Sequence, residues 1–233
     1  MLNFTVDPAL VAPDIPNGTE LDFYEGETFL SIVGFLFLET RLMGVPVPLH
    51  RNFEEVNLRF YVRRGAQQSW RRGVTFIREI VPRRAVEVAA RVFYGEPYVT
   101  MPMRHDVVDR DGMVRASYEW RRGKRWESLA MEAAGEAQPI AAGSHEEFIT
   151  EHYWGYTARH SHTSEYRVLH PRWRTWKAHT FELRADVAAL YGERFVEPLS
   201  HPTSAFIADG SDVQVFRALD DPALVAATAA KRV

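Results

Sequence analysis

The stretch Glu54–Val62, EEVNLRFYV, alternates without a break. Val56, Leu58, Phe60 and Val62 fall on one side, and Glu55, Asn57, Arg59 and Tyr61 on the other. Successive side chains of a β-strand point to opposite faces, so this period of two predicts a strand with one apolar and one polar face. In an ordinary sheet the polar face meets solvent. In a barrel wide enough to hold a ligand it can line the interior. The pattern alone leaves both arrangements open, the plainer one being a Glu55–Arg59 pair on a solvated surface.

Similar runs predict strands over Glu20–Tyr24, Thr28–Leu42, Glu55–Arg63, Val74–Ile80, Ala85–Tyr94, Val114–Arg121 and Trp126–Ala133. More follow over Tyr156–His162, Tyr166–Leu169, Thr175–Leu183 and Ser204–Phe216. Turn signals punctuate them at Glu25-Gly26, Gly44 to Pro48, Gly65, Gly73, Pro82, Gly95 to Pro97, Asp111-Gly112 and Arg122-Gly123. Asp-Gly between two strand-like runs is a hairpin signal. Helices are few. Ser144 to His152 opens with a Ser-x-x-Glu capping box, Arg184 to Tyr191 stops at Gly192, and the tail from Asp221 carries Pro222 at a first helical position. The chain therefore reads as mainly β, with closely spaced antiparallel strands in a sandwich or barrel and a few short flanking helices.

Composition narrows the chemistry. With 233 residues the chain can bury a substantial core. A net charge of -3 argues against nucleic acid or a polybasic membrane surface as partner. The pairs Arg63-Arg64, Arg71-Arg72 and Arg83-Arg84 then read as solvated strand ends. There is no cysteine, which removes disulfides, zinc–thiolate sites and cysteine nucleophiles and fits a reducing, cytoplasmic setting. Phe29 to Leu38 is about half the length of a membrane helix. No Gly-x-Ser-x-Gly elbow, phosphate-binding glycine loop or dinucleotide fingerprint is present, so no cofactor is expected. Of the three lysines, Lys124, Lys177 and Lys231, none lies in an apolar run that would prepare an amine for chemistry.

Three constellations remain. The first is the Glu55, Asn57, Arg59, Tyr61 row, in which Arg59 suits a bidentate grip on a carboxylate. The second runs from Thr75 to Tyr98 and holds Glu79, Arg91 and Tyr98. Arg91 lies among small residues, either as an anion anchor with room around it or as an edge-strand arginine. The third is the run of histidines 145, 152, 160, 162 and 170, where His160-Ser161-His162 puts two imidazoles on one face of a strand without a third ligand at a diagnostic spacing. His170-Pro171-Arg172-Trp173 reads as a structural corner.

Several stretches together resemble the uncharacterised bacterial YqjF-like family: DPALVAPDIPNGTELD (7–22), NFEEVNLRFYV (52–62), GVTFIREIVP (73–82), YVTMPMRH (98–105), FITEHYWGY (148–156), HPRW (170–173) and FIADGS (206–211). Family members carry a further strand-like segment ahead of the position of Leu2. That family is distantly similar to acetoacetate decarboxylase, an antiparallel β-barrel around a ligand cavity. The resemblance implies one such domain over residues 1–233, a polar row facing the cavity and a homo-oligomer as a possible assembly. In the decarboxylase a tyrosine-proline leads into two adjacent lysines, one of which forms a Schiff base. Aligning the prolines of ARVFYGEPYVT (90–100) puts Tyr98 and Val99 at those positions, so Schiff-base decarboxylation is not expected. The resemblance implies a small carboxylate or carbonyl ligand, anchored by Arg59 and Arg91 and oriented by Glu55, Asn57, Glu79 and Tyr98. Tyr61 and His105 complete the expected binding set. A lysine-independent lyase, hydratase or isomerase and a non-catalytic structural protein are the alternatives.

Overall fold

The computed structural model describes residues 1–38, 41–42, 45–46, 52–66, 69–159, 162–216 and 219–220. Its principal strands are β1 (Leu2–Val6), β2 (Thr28–Phe37), β3 (Phe53–Ala66), β4 (Ser69–Val81), β5 (Tyr98–Thr100), β6 (Met103–Arg110), β7 (Met113–Arg122) and β8 (Arg125–Ala134). They continue with β9 (Trp154–Ala158), β10 (Thr163–Leu169), β11 (Arg174–Lys177), β12 (Thr180–Arg184) and β13 (Ser204–Ala208). Four helices accompany them: α1 (Pro8–Val11), α2 (Arg84–Phe93), α3 (His145–Thr150) and α4 (Val187–Tyr191). The large sheet runs in the order β11-β13-β1-β2-β3-β4-β9-β10, with two-residue strands at both ends. A second sheet of four strands runs β12-β8-β7-β6.

The mainly β expectation holds, but the antiparallel barrel does not. The large sheet is open and mixed: β4 pairs in parallel with both β5 and β9 along one edge. The cause lies in the segment after Pro82. Ala85–Tyr94, expected as a strand, is helix α2. Three alanines and a Glu87–Arg91 pair one turn apart favour a helix over the Val86, Val88 alternation. A helix carries the chain back along the sheet, so the next strand must run parallel to the last.

The apolar face of β3 explains the layering. Val56, Leu58, Phe60 and Val62 are fully buried with Leu2, Phe4, Leu30, Ile32 and Ile80 against Tyr118, Trp120, Leu129 and Met131 of the four-stranded sheet. Each such side chain contributes roughly 1.5–3 kcal/mol of hydrophobic stabilisation. The sheets touch most closely where the Tyr118 ring lies on Gly34, since a Cβ at Gly34 would stand 2.5 Å from that ring. Trp120 closes the layer, its indole N–H donating to Glu127 at 2.9 Å.

Other expectations shift locally. Asp111-Gly112 makes the β6–β7 hairpin, with Arg110 opposite Met113 and both turn residues at positive φ. β1, β5 and β6 are strands that periodicity alone missed. The run 175–183 breaks into β11 and β12 at Ala178-His179, the run 204–216 leaves strand after Ala208 before the short strand Gln214–Val215, and residues 184–186 precede α4. The capping box is half made: Ser144 caps Glu147 N–H, while the Glu147 carboxylate takes the Gly143 N–H and an ion pair from Arg172. His170 stacks on Trp173 at 4.1 Å, as a corner should. Gly44, Pro48, His160-Ser161 and the tail helix from Asp221 lie outside the described residues. Among the described residues no helix is long and apolar enough to cross a membrane.

Replacing Gly34 with alanine forces the Tyr118 ring off β2 and opens the contact between the sheets. The variant is expected to lose about 1–3 kcal/mol, read as a lower urea midpoint at unchanged slope.

Candidate functional site: a buried acid cluster

The polar face of β3 turns inward. Glu55, Asn57 and Tyr61 are each 1% exposed, and Arg59 is half-buried. With the second sheet already covering the apolar face, both sides of this strand are shut away from water. The plainer reading, a Glu55–Arg59 pair on a solvated face, is therefore overturned.

What meets Glu55 and Asn57 is set by a bulge in β4. Leu58 pairs with Arg78, but the next residue, Arg59, pairs with Phe76, leaving Ile77 as an extra residue. An extra residue reverses which side chains face inward beyond it. The inward positions of β4 thus run Val74, Phe76, then Glu79, and Arg78 is turned away from the polar side. Asn57 stands opposite Glu79, and Glu79 stands opposite Tyr98 on β5, so three polar residues line up across three strands. Asn57 Nδ2 donates to Glu55 Oε1 at 3.0 Å, and the Tyr98 hydroxyl donates to Glu55 Oε2 at 2.8 Å.

A third carboxyl joins from the turn before β5. Glu96, between Gly95 at positive φ and Pro97, is 3% exposed. The hydroxyls of Thr157 and Tyr166 sit beside it, yet neither of its oxygens accepts a hydrogen bond of good geometry. Tyr166 reaches this place because it crosses Gly155 on the neighbouring strand; a Cβ there would stand 2.1 Å from the ring. The guanidinium of Arg159 is close enough to favour the ionised Glu96.

Three carboxyls sharing a buried site cannot all ionise. Burial, only partly offset by Asn57, Tyr98 and Arg59, pushes Glu55 up to about 7. Burial, with repulsion from Glu96 and Glu55 added, raises Glu79 well above the usual carboxylate range. Burial pushes Glu96 up to about 8 against the pull of Thr157, Tyr166 and Arg159. The same burial and the same acids raise Tyr98 and Tyr166 far above an ordinary phenol. At neutral pH the cluster holds protons that it shares, and its titration belongs to the set.

The other end of the row is wired differently. Tyr61 shares a 2.6 Å hydrogen bond with Ser31, which donates to Asn3, which donates in turn to Ser204. Arg59 donates to the Ile149 carbonyl at 3.1 Å and lies 5.6 Å from the centre of the Tyr61 ring, with no carboxylate partner among the described residues. Beyond it, Asp22 accepts from Arg72 at 2.6 Å and from His152 at 3.1 Å. Burial brings His152 down to about 4 despite Asp22.

The structure separates the expected site residues. Glu55, Asn57, Glu79 and Tyr98 meet in the cluster, and Arg59 and Tyr61 continue the row. Arg91 does not belong: it is exposed on α2 and pairs with Glu87 at 3.1 Å. His105 is exposed on β6 and meets Glu54 at 2.7 Å, outside the row because Glu54 points to the opposite face from Glu55. The arginine pairs are more than solvated ends. Arg64 and Arg71 both grip Glu165, which is 2% exposed, and Arg72 serves Asp22. Glu96 and Tyr166 were missed; the glycine and proline flanking Glu96 were visible but read only as a turn. Two surface depressions, of about 550 and 500 Å3, lie against Ala12–Phe23 and against Thr5–Leu10 with His201, and no acid of the cluster lines either. Among the described residues no three His, Asp or Glu side chains converge as metal ligands.

Comparison with known proteins agrees with this architecture. The model of the DUF2071 family, described as an uncharacterized conserved protein, matches residues 1–212. The uncharacterized protein YqjF of Bacillus subtilis is 30% identical over 105 residues, 45% of this chain and 42% of that protein, so the match spans less than half of either. Acetoacetate decarboxylase from Legionella pneumophila superposes with a TM-score of 0.56 over 94% of this chain and 80% of that one, at 13% identity. The enduracididine biosynthesis enzyme MppR, solved with HEPES bound, superposes with a TM-score of 0.59 over 93% and 80% at 11% identity. MppR has also been solved with the condensation product of pyruvate and imidazole 4-carboxaldehyde, at a TM-score of 0.58 over 93% and 81% and 11% identity. These likenesses establish an acetoacetate decarboxylase-like fold, and the chain belongs to the DUF2071 family.

Proposed function

We propose that the chain binds a small carbonyl-bearing carboxylate along the polar row of β3 and moves a proton on it without a Schiff base. The supporting observation is the meeting of Glu55, Glu79 and Glu96 in one buried cluster, with Glu55 pushed up to about 7. A group titrating near the working pH is the most effective proton carrier. Arg59 would take the ligand's carboxylate, being the cation of the row that no acid neutralises. Ionised Glu55 would then take a proton from the carbon beside the carbonyl. The electron pair moves to the carbonyl oxygen, which receives a proton from Glu79. Enolisation is the minimal reaction of this kind, and hydration or a lyase step uses the same two transfers. Lys124 and Lys177 have no part in it, being exposed on a hairpin turn and on β11; Lys231 lies outside the described residues. The fold of the neighbouring enzymes supports the reading only as analogy.

Access would come by displacement of α2. That helix is tied down by Thr100 donating to Glu87 and by Arg159 donating to the Val92 carbonyl at 3.4 Å, and it leads directly into Glu96.

Incubating the protein with short 2-keto acids in D2O should replace their C3 protons, followed by loss of the proton NMR signal. Glu55→Gln is expected to slow this by roughly 10²–10⁴-fold. Arg59→Gln should weaken binding about tenfold or more while leaving the fold intact by circular dichroism. If no keto acid exchanges or raises the melting temperature, the proposal is wrong.

The cluster also fixes a pH dependence of stability. Glu96 ionises near 4.5 in the unfolded chain and about 8 in the folded one, so its contribution is full below 4.5 and is lost as pH rises through 8. His152 acts in the opposite sense: its folded value of about 4 against 6.5 gives stability that is full above 6.5 and lost as pH falls. Glu96→Gln should therefore melt a few degrees above wild type at pH 8, with the advantage shrinking toward pH 5, as measured by calorimetry.

A further inference from the structure

The acid cluster has more acceptors than the protein supplies donors. Four buried atoms in it have no hydrogen-bond partner: Asn57 Oδ1, Glu79 Oε2 and both oxygens of Glu96. Asn57 Nδ2 and the Tyr98 hydroxyl both serve Glu55, and one Arg159 nitrogen donates to the Val92 carbonyl. Thr157 Oγ1, the Tyr166 hydroxyl and Arg159 Nε stand beside Glu96, yet none makes a hydrogen bond of good geometry to it. Leaving buried acceptors unmatched is costly, and more so when they are charged. Shared protons answer part of this, but a proton on a glutamate supplies only one donor at a time.

We propose that the cluster receives the protonated amino group of a small zwitterionic ligand whose carboxylate lies on Arg59. An ammonium offers three donors and one positive charge, which suits several convergent acceptors among acids that otherwise repel. Asn57 and Arg59 are two residues apart on one face of β3, roughly 7 Å along the strand, so the ligand's two charges are separated by a short carbon chain. The charged and titratable groups facing the ammonium are Glu55 on β3, Glu79 on β4, Glu96 and Tyr98 around β5, Tyr166 on β10 and Arg159 after β9. A cation beside Glu96 favours its ionised form, so binding expels a proton near neutral pH. The inference rests on the reading of Arg59 as the anion anchor and adds the class of the ligand's other end.

Isothermal titration of the purified protein with ω-amino acids from β-alanine to 6-aminohexanoate, with butyrate and with n-butylamine separates the two claims. One amino acid of the series should bind at least tenfold more tightly than butyrate or butylamine. It should release protons at pH 7, seen as heats that depend on the buffer's ionisation enthalpy. Glu96→Gln should lower that affinity at least tenfold and leave butyrate binding unchanged. Butyrate binding as tightly as every amino acid, without proton release, overturns the ammonium site and leaves the Arg59 anchor standing. Butylamine binding as tightly as the best amino acid supports the ammonium site and removes Arg59 from its role. Absence of binding by every probe overturns both.

Discussion

The fold is organised around a strand that is buried on both faces although one face is polar. Strands buried on both faces usually meet this condition by being apolar throughout. β3 instead keeps Glu55, Asn57, Arg59 and Tyr61 on the inward side and spends its apolar residues on the second sheet. Burying such a row is costly unless each group finds a partner or changes its charge. The two ends of the row solve this differently. Around Tyr61 the answer is hydrogen bonding, through Ser31, Asn3 and Ser204, with Asp22, Arg72 and His152 alongside. Around Glu55 the answer is protonation, because the acids outnumber the cations within reach. At the first end the unmatched atoms are ring and guanidinium nitrogens, His152 Nδ1 and Arg59 Nε, while at the second they are amide and carboxyl oxygens.

That contrast is informative because the same protein shows how it finishes an acid when structure is the only purpose. Glu165 is as deeply buried as Glu79, yet Arg64 and Arg71 grip its two oxygens at 2.5 and 2.7 Å. Glu127 is likewise matched, by Trp120 and Arg122. The arginines were available to the fold, and Arg78 even lies next to Glu79 in the chain. The bulge at Ile77 turns Arg78 away and brings Glu79 in. A local irregularity that places an acid among acids, where regular pairing would have placed a base, raises the energy of the folded state. Strained or unmatched groups of this kind persist where they serve a site.

Much of this was legible in the sequence, and the failures have definite causes. The alternation of β3 gave the strand, the two faces and four members of the polar row. Asp111-Gly112 gave the hairpin that aligns β6 with β7. Periodicity could not say which face was enclosed, because that depends on the second sheet and on α3, far away in the chain. The resemblance to a known family supplied the answer. Arg91 failed for a reason of a different kind: Val86 and Val88 imitate a strand, whereas the pair Glu87–Arg91 only makes sense at helical spacing. That single misreading also hid the parallel edge and hence the open sheet. Glu96 was hidden because a glycine-acid-proline turn reads as loop, and loops look solvated until the element beyond them is known.

Tyr98 links these points to chemistry. The resemblance to the decarboxylase would align a lysine with Tyr98, and an amine must be kept neutral to attack a carbonyl. Next to Glu55, Glu79 and Glu96 an amine would instead be held as a cation, satisfied and unreactive. A phenol has no such conflict: it donates to Glu55 at 2.8 Å, stays protonated among the acids and leaves the charge balance untouched. With a phenol in this place the cluster holds its protons and keeps unmatched acceptors on Asn57, Glu79 and Glu96.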